Sequence, residues 1–482
     1  MLTKSKLLLN LQCPRYLWLN TYNPELAKVG SDSNSRMAVG DEVGILARSM
    51  ALGGELVASK NSNEAIEQTQ LLLIQNQTRP IFEAAFSVSD LLVRIDLLFP
   101  RDDGYKLVEV KSSTSIKPYH LQDAAIQTWV LRAAQKKPVN TFLSLINPKF
   151  NYKGNSEYAG LFEESDISNE INDLVNLVPI WNESAKETVA LNKEPIHIKT
   201  GTQCNKPFPC PYFEYCISLE ERPEFPIEIL PYGSKIVQKL KKDGFRDLKD
   251  VPDGLLENEI HIRIHRVSKS GMVELAPEAK EILDPLPYPR FYLDFETISS
   301  AIPRIPNTHP YSQVPFQWSC HIEGEDKEIV HAEFLDVEST DPRRSFSESL
   351  IKLLGERGTI FTYSGFEESR INDLISIFPD LKTSLTSIKE RIFDLLVLSR
   401  AHYYHPDMKG SWSIKKVLPT ITNLSYEHLT VQNGGMAQEA YRELVADKLD
   451  PIQNRQLKDS LLNYCRQDTL ALVELVMKFS QK

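Results

Sequence analysis

LLVRIDLLFPRDDGYKLVEVK, residues 91–111, decides how the first half of the chain folds. Leu91 to Phe99 and Tyr105 to Val110 read as strands. Asp96 stands in the first, and Glu109 and Lys111 close the second. Side chains alternate along a strand, so Glu109 and Lys111 point one way and Val110 the other. Two carboxylates in one pocket repel each other, and neither ionises readily. A divalent cation removes that penalty and lowers the pKa of a bound water. Lys111 is placed to orient the water or to stabilise charge growing on a phosphorane-like transition state. On the helix expected next, Asp123 and Gln127 lie one turn apart on one face, and Gln127 can position the lysine or the water. A lone Glu-x-Lys is an ordinary surface pair. The full order, Asp96, Glu109-x-Lys111, then Gln127, is far more specific.

Outward from this stretch, Ile81 to Val88 and Thr141 to Ile146 read as further strands, with helices near 33–51, 61–77, 121–136 and 166–191. Residues 1–220 therefore form a mixed α/β core. Residues 221–285 are punctuated by prolines and hold Lys235, Lys239, Lys241, Lys242, Arg246 and Lys249, which we read as a helical linker or small domain with a solvated basic face. From 286 to 482 a second α/β pattern starts: strands at Phe291–Phe295, Phe316–Ile322, Glu328–Phe334 and Thr359–Tyr363, a helix near 343–355, then more helices.

The second half carries its own acids. Asp294 and Glu296 share one face of an otherwise apolar strand, an expensive placement unless a cation compensates. Tyr464 and Asp468 are four apart in a helical pattern and share a face. Between them, Glu367 follows the strand ending at Tyr363, with Asp373 as a less suitable substitute. Two cations held by Asp294, Glu296, Glu367 and Asp468 would activate a water and stabilise a leaving oxygen, and Tyr464 would place the water. Lys415 and Lys416 either touch phosphates or face solvent. Asp394 is expected to cap or pair structurally.

Cys204, Cys210 and Cys216 lie close together and Cys13 stands near the N-terminus. Thiolates grouped this way suit zinc or an iron–sulfur cluster. Cys320 and Cys465 read as packing residues. The chain has 482 residues, too many for one core, and two or three domains are expected. It holds no run of roughly 18 apolar residues, so no membrane span is expected. Its start reads as a helix capped by Thr3 or Ser5, not as a signal peptide, which places it in the cytoplasm. A net charge of −10 speaks against a protein that coats duplex DNA, yet suits an enzyme whose acids hold cations that meet phosphates.

The order Asp96, Glu109-x-Lys111, Gln127 resembles the PD-(D/E)XK nuclease superfamily, in particular its RecB-like branch, and Glu83 fits that pattern too. The branch's early histidine is missing from Gly40–Gly44, where Glu42 is the available acid. The arrangement of Cys13 with Cys204, Cys210 and Cys216 resembles iron–sulfur nucleases of the AddB type and CRISPR-associated exonucleases, which implies a four-iron cluster (4Fe-4S) in preference to zinc. The second half resembles DEDD exonucleases on an RNase H-like fold, in the subtype bearing tyrosine, with Glu367 where aspartate is usual. The whole resembles predicted RecB-family nucleases of bacteria and archaea. The resemblance implies two mixed α/β nuclease domains joined by a helical linker, with catalytic roles for Asp96, Glu109, Lys111, Gln127, Asp294, Glu296, Glu367, Tyr464 and Asp468. It implies magnesium or manganese, nucleic acid as partner with DNA favoured over RNA, and 3′-to-5′ polarity at the second site. A ribonuclease, or an end-binding protein with one decayed site, is the alternative.

Overall fold

The two strands expected in residues 91–111 form as an antiparallel pair in a mixed α/β chain. The computed structural model describes residues 1–28, 31–75, 78–135, 137, 139–338, 340–446 and 449–481, without the side chains of residues 31–35. The chain divides into two units, Met1–Glu221 with Ser300–Ser312, and Arg222–Ser299 with Gln313–Lys482. Among the described residues no helix is long and apolar enough to cross a membrane.

In the first unit the described strands are β1 (Leu2–Thr3), β2 (Glu55–Leu56), β3 (Ile81–Val88), β4 (Leu91–Arg101), β5 (Gly104–Lys111), β6 (Val139–Ile146) and β7 (Phe162–Asp166). They form one sheet in the order β2-β3-β4-β5-β6-β7, with β1 beside β4. β3, β4 and β5 run antiparallel, whereas β5 and β6 are parallel. A parallel pair needs a crossover, and the helix Pro118–Gln135 supplies it, burying Ala124, Ile126, Val130 and Leu131 with Leu98 and Leu107 of the sheet. The helix expected at 166–191 begins later, at Asn172, because Phe162–Asp166 pairs with β6 and Asp166 then accepts the Ser168 N–H at 2.9 Å. The helices expected at 61–77 and 121–136 are described as Ser62–Gln75 and Pro118–Gln135; residues 76, 77 and 136 lie outside the described residues. Thr3 caps the first helix, accepting the Lys6 N–H at 3.3 Å. Residues 300–312 add a strap to this unit. Ala301 and Ile302 bury with Val43, Ile146 and Leu161, and the Asn307 N–H donates to the Tyr152 carbonyl at 2.8 Å.

In the second unit β8 (Glu274–Leu275) pairs with β14 (Tyr403–Tyr404), and a separate sheet runs β11-β10-β9-β12-β13. Its strands are β9 (Arg290–Ile298), β10 (Val314–Glu323), β11 (Ile329–Leu335), β12 (Thr359–Thr362) and β13 (Ile392–Asp394). β9 is central and covered on both faces. Phe291, Leu293 and Phe295 enter one core, with Phe346, Leu350 and Ile371. Tyr292 enters another, with Leu472 and Val476 of the helix Pro451–Phe479. Residues 222–285, nearly all of the 221–285 stretch expected as a helical linker or small domain, cluster with this unit. Phe225, Ile227, Leu230 and Leu240 bury with Tyr403, Met408 and Trp412, so the apolar face between the prolines is spent on the second core.

Gly410 joins that packing. It has φ +80°, and a Cβ there would stand 1.7 Å from the Ile229 carbonyl oxygen. Gly271, with φ +69° and nothing within 4 Å, has only the conformational cost. We predict that Gly410→Ala costs more than about 2 kcal/mol and Gly271→Ala about 1 kcal/mol. Denaturant unfolding of both variants checks this, and equal losses would contradict the packing described.

Candidate functional site

The second unit gathers acids from three elements. Asp294 and Glu296 alternate with buried Phe295 on β9, on the face that meets the helix carrying Asp468. One oxygen from each of Asp294, Glu296 and Asp468 lies within 4.8 Å of the others. Among the described residues this is the one group of acidic, imidazole or thiol donors that comes so close. Glu367, in the first turn of the helix Phe366–Ile377, is 3% exposed, and its Oε2 is buried with no hydrogen-bond partner. A buried anionic oxygen without a donor is costly, and a cation satisfies it. Asp373 turns away, paired with Arg370 at 3.0 Å. Asp394 caps the helix Leu395–His402, accepting the Leu396 N–H at 2.8 Å and the Ser364 N–H at 2.9 Å.

These carboxyls suppress one another's ionisation. Burial, reinforced by Asp468, Glu367 and Glu296, holds Asp294 well above the usual carboxylate range. Burial and the charge of Asp468 push Glu296 to about 8. Burial raises Glu367 to about 8, with Asp394 and Asp468 adding to it. Burial lifts Asp468 to about 6, moderated by a hydrogen bond from Tyr426. The donor set, four acids with one orphaned oxygen, fits magnesium or manganese.

Tyr464 lies one turn before Asp468 on the same helix, and its hydroxyl helps to hold the Asp468 pKa down. No sequence signal marks a second tyrosine, because Tyr426 sits outside any helix or strand. Its hydroxyl donates to Asp468 Oδ1 at 2.6 Å. Lys415 Nζ stands 5.3 Å from the Tyr426 ring and 5.6 Å from the Tyr464 ring, and its charge favours ionised Glu296 and Asp468. Cys465 is buried as expected, and its thiol also reaches Asp294 Oδ2 at 3.4 Å.

The first unit solves the same problem differently. The β4–β5 ladder breaks at Asp96, whose Oδ2 accepts the Val110 N–H at 2.7 Å. Glu109 is 2% exposed. Its Oε1 accepts from Lys111 at 2.6 Å and from Lys4 at 3.0 Å, and its Oε2 accepts from Gln127 at 2.6 Å. Asp123 pairs with Lys4 at 2.8 Å and with Lys111. Lys4, on the first turn of the N-terminal helix, carries no motif signal, and only folding brings it here. Burial opposes its charge, but Asp123 and Glu109 outweigh burial and raise its pKa. Burial and the charge of Glu109 push Asp96 to about 8, while Lys111 and Lys4 overcome burial at Asp123 and hold it below the usual range. Glu83 and Glu42 serve elsewhere in the unit, on Arg48 at 2.7 Å and on Arg304. Asp96 and Glu109 suit a divalent cation chemically, but Glu109 is fully engaged until an ammonium withdraws.

Cys13, Cys204, Cys210 and Cys216 line one small cavity with Arg15, Tyr16 and Tyr212. The Cys210 N–H donates to the Cys204 carbonyl at 2.8 Å. Burial, with the neighbouring thiols, raises Cys13 and pushes Cys210 to about 12, and burial raises Cys216 to about 11. No three of the four sulfurs come within 4.8 Å of one another among the described residues.

Residues 291–413 match a family model described as a domain of unknown function, DUF2779. That span contains Asp294, Glu296 and Glu367 and ends before Asp468. "Uncharacterized protein UU173" of Ureaplasma parvum is 23% identical over 272 residues, 51% of this chain and 39% of the relative. "Uncharacterized protein MG366" of Mycoplasma genitalium is 26% identical over 209 residues, 39% of this chain and 31% of the relative. The matched part thus spans under half the length of these relatives. The solved structure of SSO0001 aligns over 40% of this chain and 77% of its own at 19% identity, with a TM-score of 0.24, too low to support an argument.

Two predictions follow from the two charge balances. Asp294, Glu296 and Glu367 hold protons when folded that the unfolded chain releases near 3.8 to 4.5. The folded state therefore binds more protons between about pH 4.5 and 8, and stability falls as pH rises through that window. Asp123 has the opposite sign below 3.8, and His120, His321 and His331, pushed down to about 4 by burial, have it up to about 6.5, so the fall is clearest from about pH 6.5 to 8. The thermal midpoint of metal-free protein should drop across this window and recover with magnesium; a steady rise would contradict the burial of these acids. At the other centre, Lys4→Met should tighten manganese binding at least about tenfold, read by calorimetry in an Asp294→Asn background. Unchanged or weaker binding would mean that Lys4 does not contend with the cation.

Proposed function

We propose that the chain is a metal-dependent nuclease hydrolysing phosphodiester bonds in nucleic acid, DNA ahead of RNA, with an exonuclease centre in the second unit. The observation that carries this is the convergence of Asp294, Glu296 and Asp468 within 4.8 Å, beside the orphaned Oε2 of Glu367. Magnesium or manganese there would supply the positive charge that an attacking water and a leaving oxygen both need. Asp294, Glu296, Glu367 and Asp468 hold the ions. Tyr426 fixes Asp468 through its hydroxyl, and Tyr464 orients the water. Lys415 is placed to meet a substrate phosphate. Polarity from a 3′ end belongs to the resemblance stated from the motifs.

In the first unit, Asp96, Glu109, Lys111 and Gln127 form the second hydrolytic centre of the same proposal. Lys111 would stabilise charge on the transferring phosphate, and Gln127 would hold Glu109. The pairing of Lys4 with Glu109 and Asp123 supports a second reading, in which this unit holds nucleic-acid ends and the other cleaves. A four-iron cluster on Cys13, Cys204, Cys210 and Cys216 is also proposed, since the four thiols line one cavity; zinc is its alternative.

Degradation of labelled single strands tests the centres apart. Asp294→Ala should cost at least about a hundredfold, and Tyr464→Phe far less. Glu367→Ala should be nearly inactive, with Glu367→Asp retaining substantial activity; an unaffected Glu367→Ala overturns its role as a ligand. Lys111→Ala in an Asp294→Ala background should abolish the remaining cleavage, and wild-type residual cleavage would assign the first unit to binding. Anaerobically purified protein should be brown and hold iron and sulfide, whereas colourless protein holding zinc would replace the cluster by a zinc site.

A further inference from the structure

We infer that an open cleft of the second unit is a subsite for a neighbouring nucleotide of a single-stranded nucleic acid, with Tyr232 stacking on a base and Arg400 meeting a phosphate. This rests on the hydrolytic reading of the acidic centre. The cleft has a volume of about 460 Å³ and is lined by Tyr232, Tyr363, Ser364, Arg400, Trp412, Ser413 and apolar neighbours. In a chain of net charge −10, its described lining holds an arginine and no acid. That balance favours an anion.

Tyr232 is 91% exposed and has φ +55°. A bulky side chain in the left-handed region is strained. The neighbouring Pro231 carbonyl is held by His261 Nε2 at 2.7 Å, which fixes the backbone that carries the ring outward. Trp412 is buried and anchored, its Nε1 donating to the Tyr403 carbonyl at 2.8 Å, and Tyr363 is tied to the Trp412 carbonyl at 2.6 Å. The cleft therefore has a fixed floor and one free aromatic face. An exposed ring accepts any base by stacking, which suits a single strand read without regard to sequence. Arg400 is exposed and lies close enough to Tyr363 for its charge to act on that hydroxyl.

The cleft also adjoins the acidic centre along the chain. Ser364 precedes Glu367 by three residues, a reach of at most about 11 Å. Ser413 precedes Lys415 by two, and the charge of Lys415 acts on Glu296 and Asp468. A strand whose terminal phosphate lies at the acids has its next nucleotides within reach of this wall.

The test uses the full chain with Asp294→Asn and Lys111→Ala, which together stop hydrolysis at both proposed centres, and fluorescein-labelled oligothymidylate and oligouridylate read by anisotropy. Tyr232→Ala and Arg400→Ala should each weaken binding roughly tenfold, and Tyr232→Trp should retain it. Arg400→Ala should also lower the slope of log affinity against log salt by about 0.7. Equal loss for both oligomers assigns the shared base and phosphate chemistry, and loss for one alone assigns the sugar type as well. Unchanged binding in Tyr232→Ala and Arg400→Ala overturns the subsite. The hydrolytic reading is tested separately, by turnover of thymidine 5′-p-nitrophenyl phosphate by the protein with Asp294 intact. Turnover with unchanged oligomer binding removes the cleft alone, and lost binding without turnover keeps the cleft and removes the hydrolytic reading.

Discussion

Like charges buried together are the constraint on which the second unit depends. Asp294, Glu296, Glu367 and Asp468 come from a central strand and two helices; burial pushes each above its ordinary range, and neighbouring acids add to the rise at Asp294, Glu296 and Glu367. Such a group persists only if the scaffold holds it in place. The scaffold here is β9, covered on both faces by separate apolar cores, and the helix Pro451–Phe479, which packs Leu472 and Val476 against Tyr292. Apolar burial fixes the backbone, and the backbone fixes the acids. A divalent cation, if bound there as proposed, would relieve the repulsion at every member at once.

The first unit reaches a different balance with the same residue types. Asp96, Glu109 and Asp123 are matched by Lys4 and Lys111, and Gln127 fills the remaining oxygen of Glu109. Compensation from within needs no bound cation but leaves Glu109 occupied. One centre is therefore poised to take up positive charge, and the other already contains it. That contrast gives the two centres different expected responses to metal and to pH, although both rest on a strand that presents acids to a covering helix.

The segments between the motifs serve packing. The prolines of 222–285 break the chain into short pieces whose apolar residues, Phe225 to Leu230 among them, complete the second core and leave Tyr232 exposed at its edge. Residues 300–312 leave the second unit just after β9 and pack with the first, through Ala301 and Ile302. A division of the chain by sequence position cannot follow such a path.

By itself the sequence determined the elements and the local pairs. Alternation along 91–111 set Glu109 and Lys111 on one strand face, alternation at 291–297 did the same for Asp294 and Glu296, and four-residue spacing placed Tyr464 with Asp468. These are short-range consequences of strand and helix periods. Strand ends fell within two residues of the expectation at Ile81–Val88, Leu91–Arg101, Gly104–Lys111 and Val139–Ile146. The tertiary structure alone decided which acids meet, that Glu367 and not Asp373 turns inward, and that Lys4 and Tyr426 join them. Those outcomes depend on packing between elements far apart in the chain. Lys4 reaches Glu109 across 105 residues and Tyr426 reaches Asp468 across 42, and no period in a sequence encodes a distance of that kind.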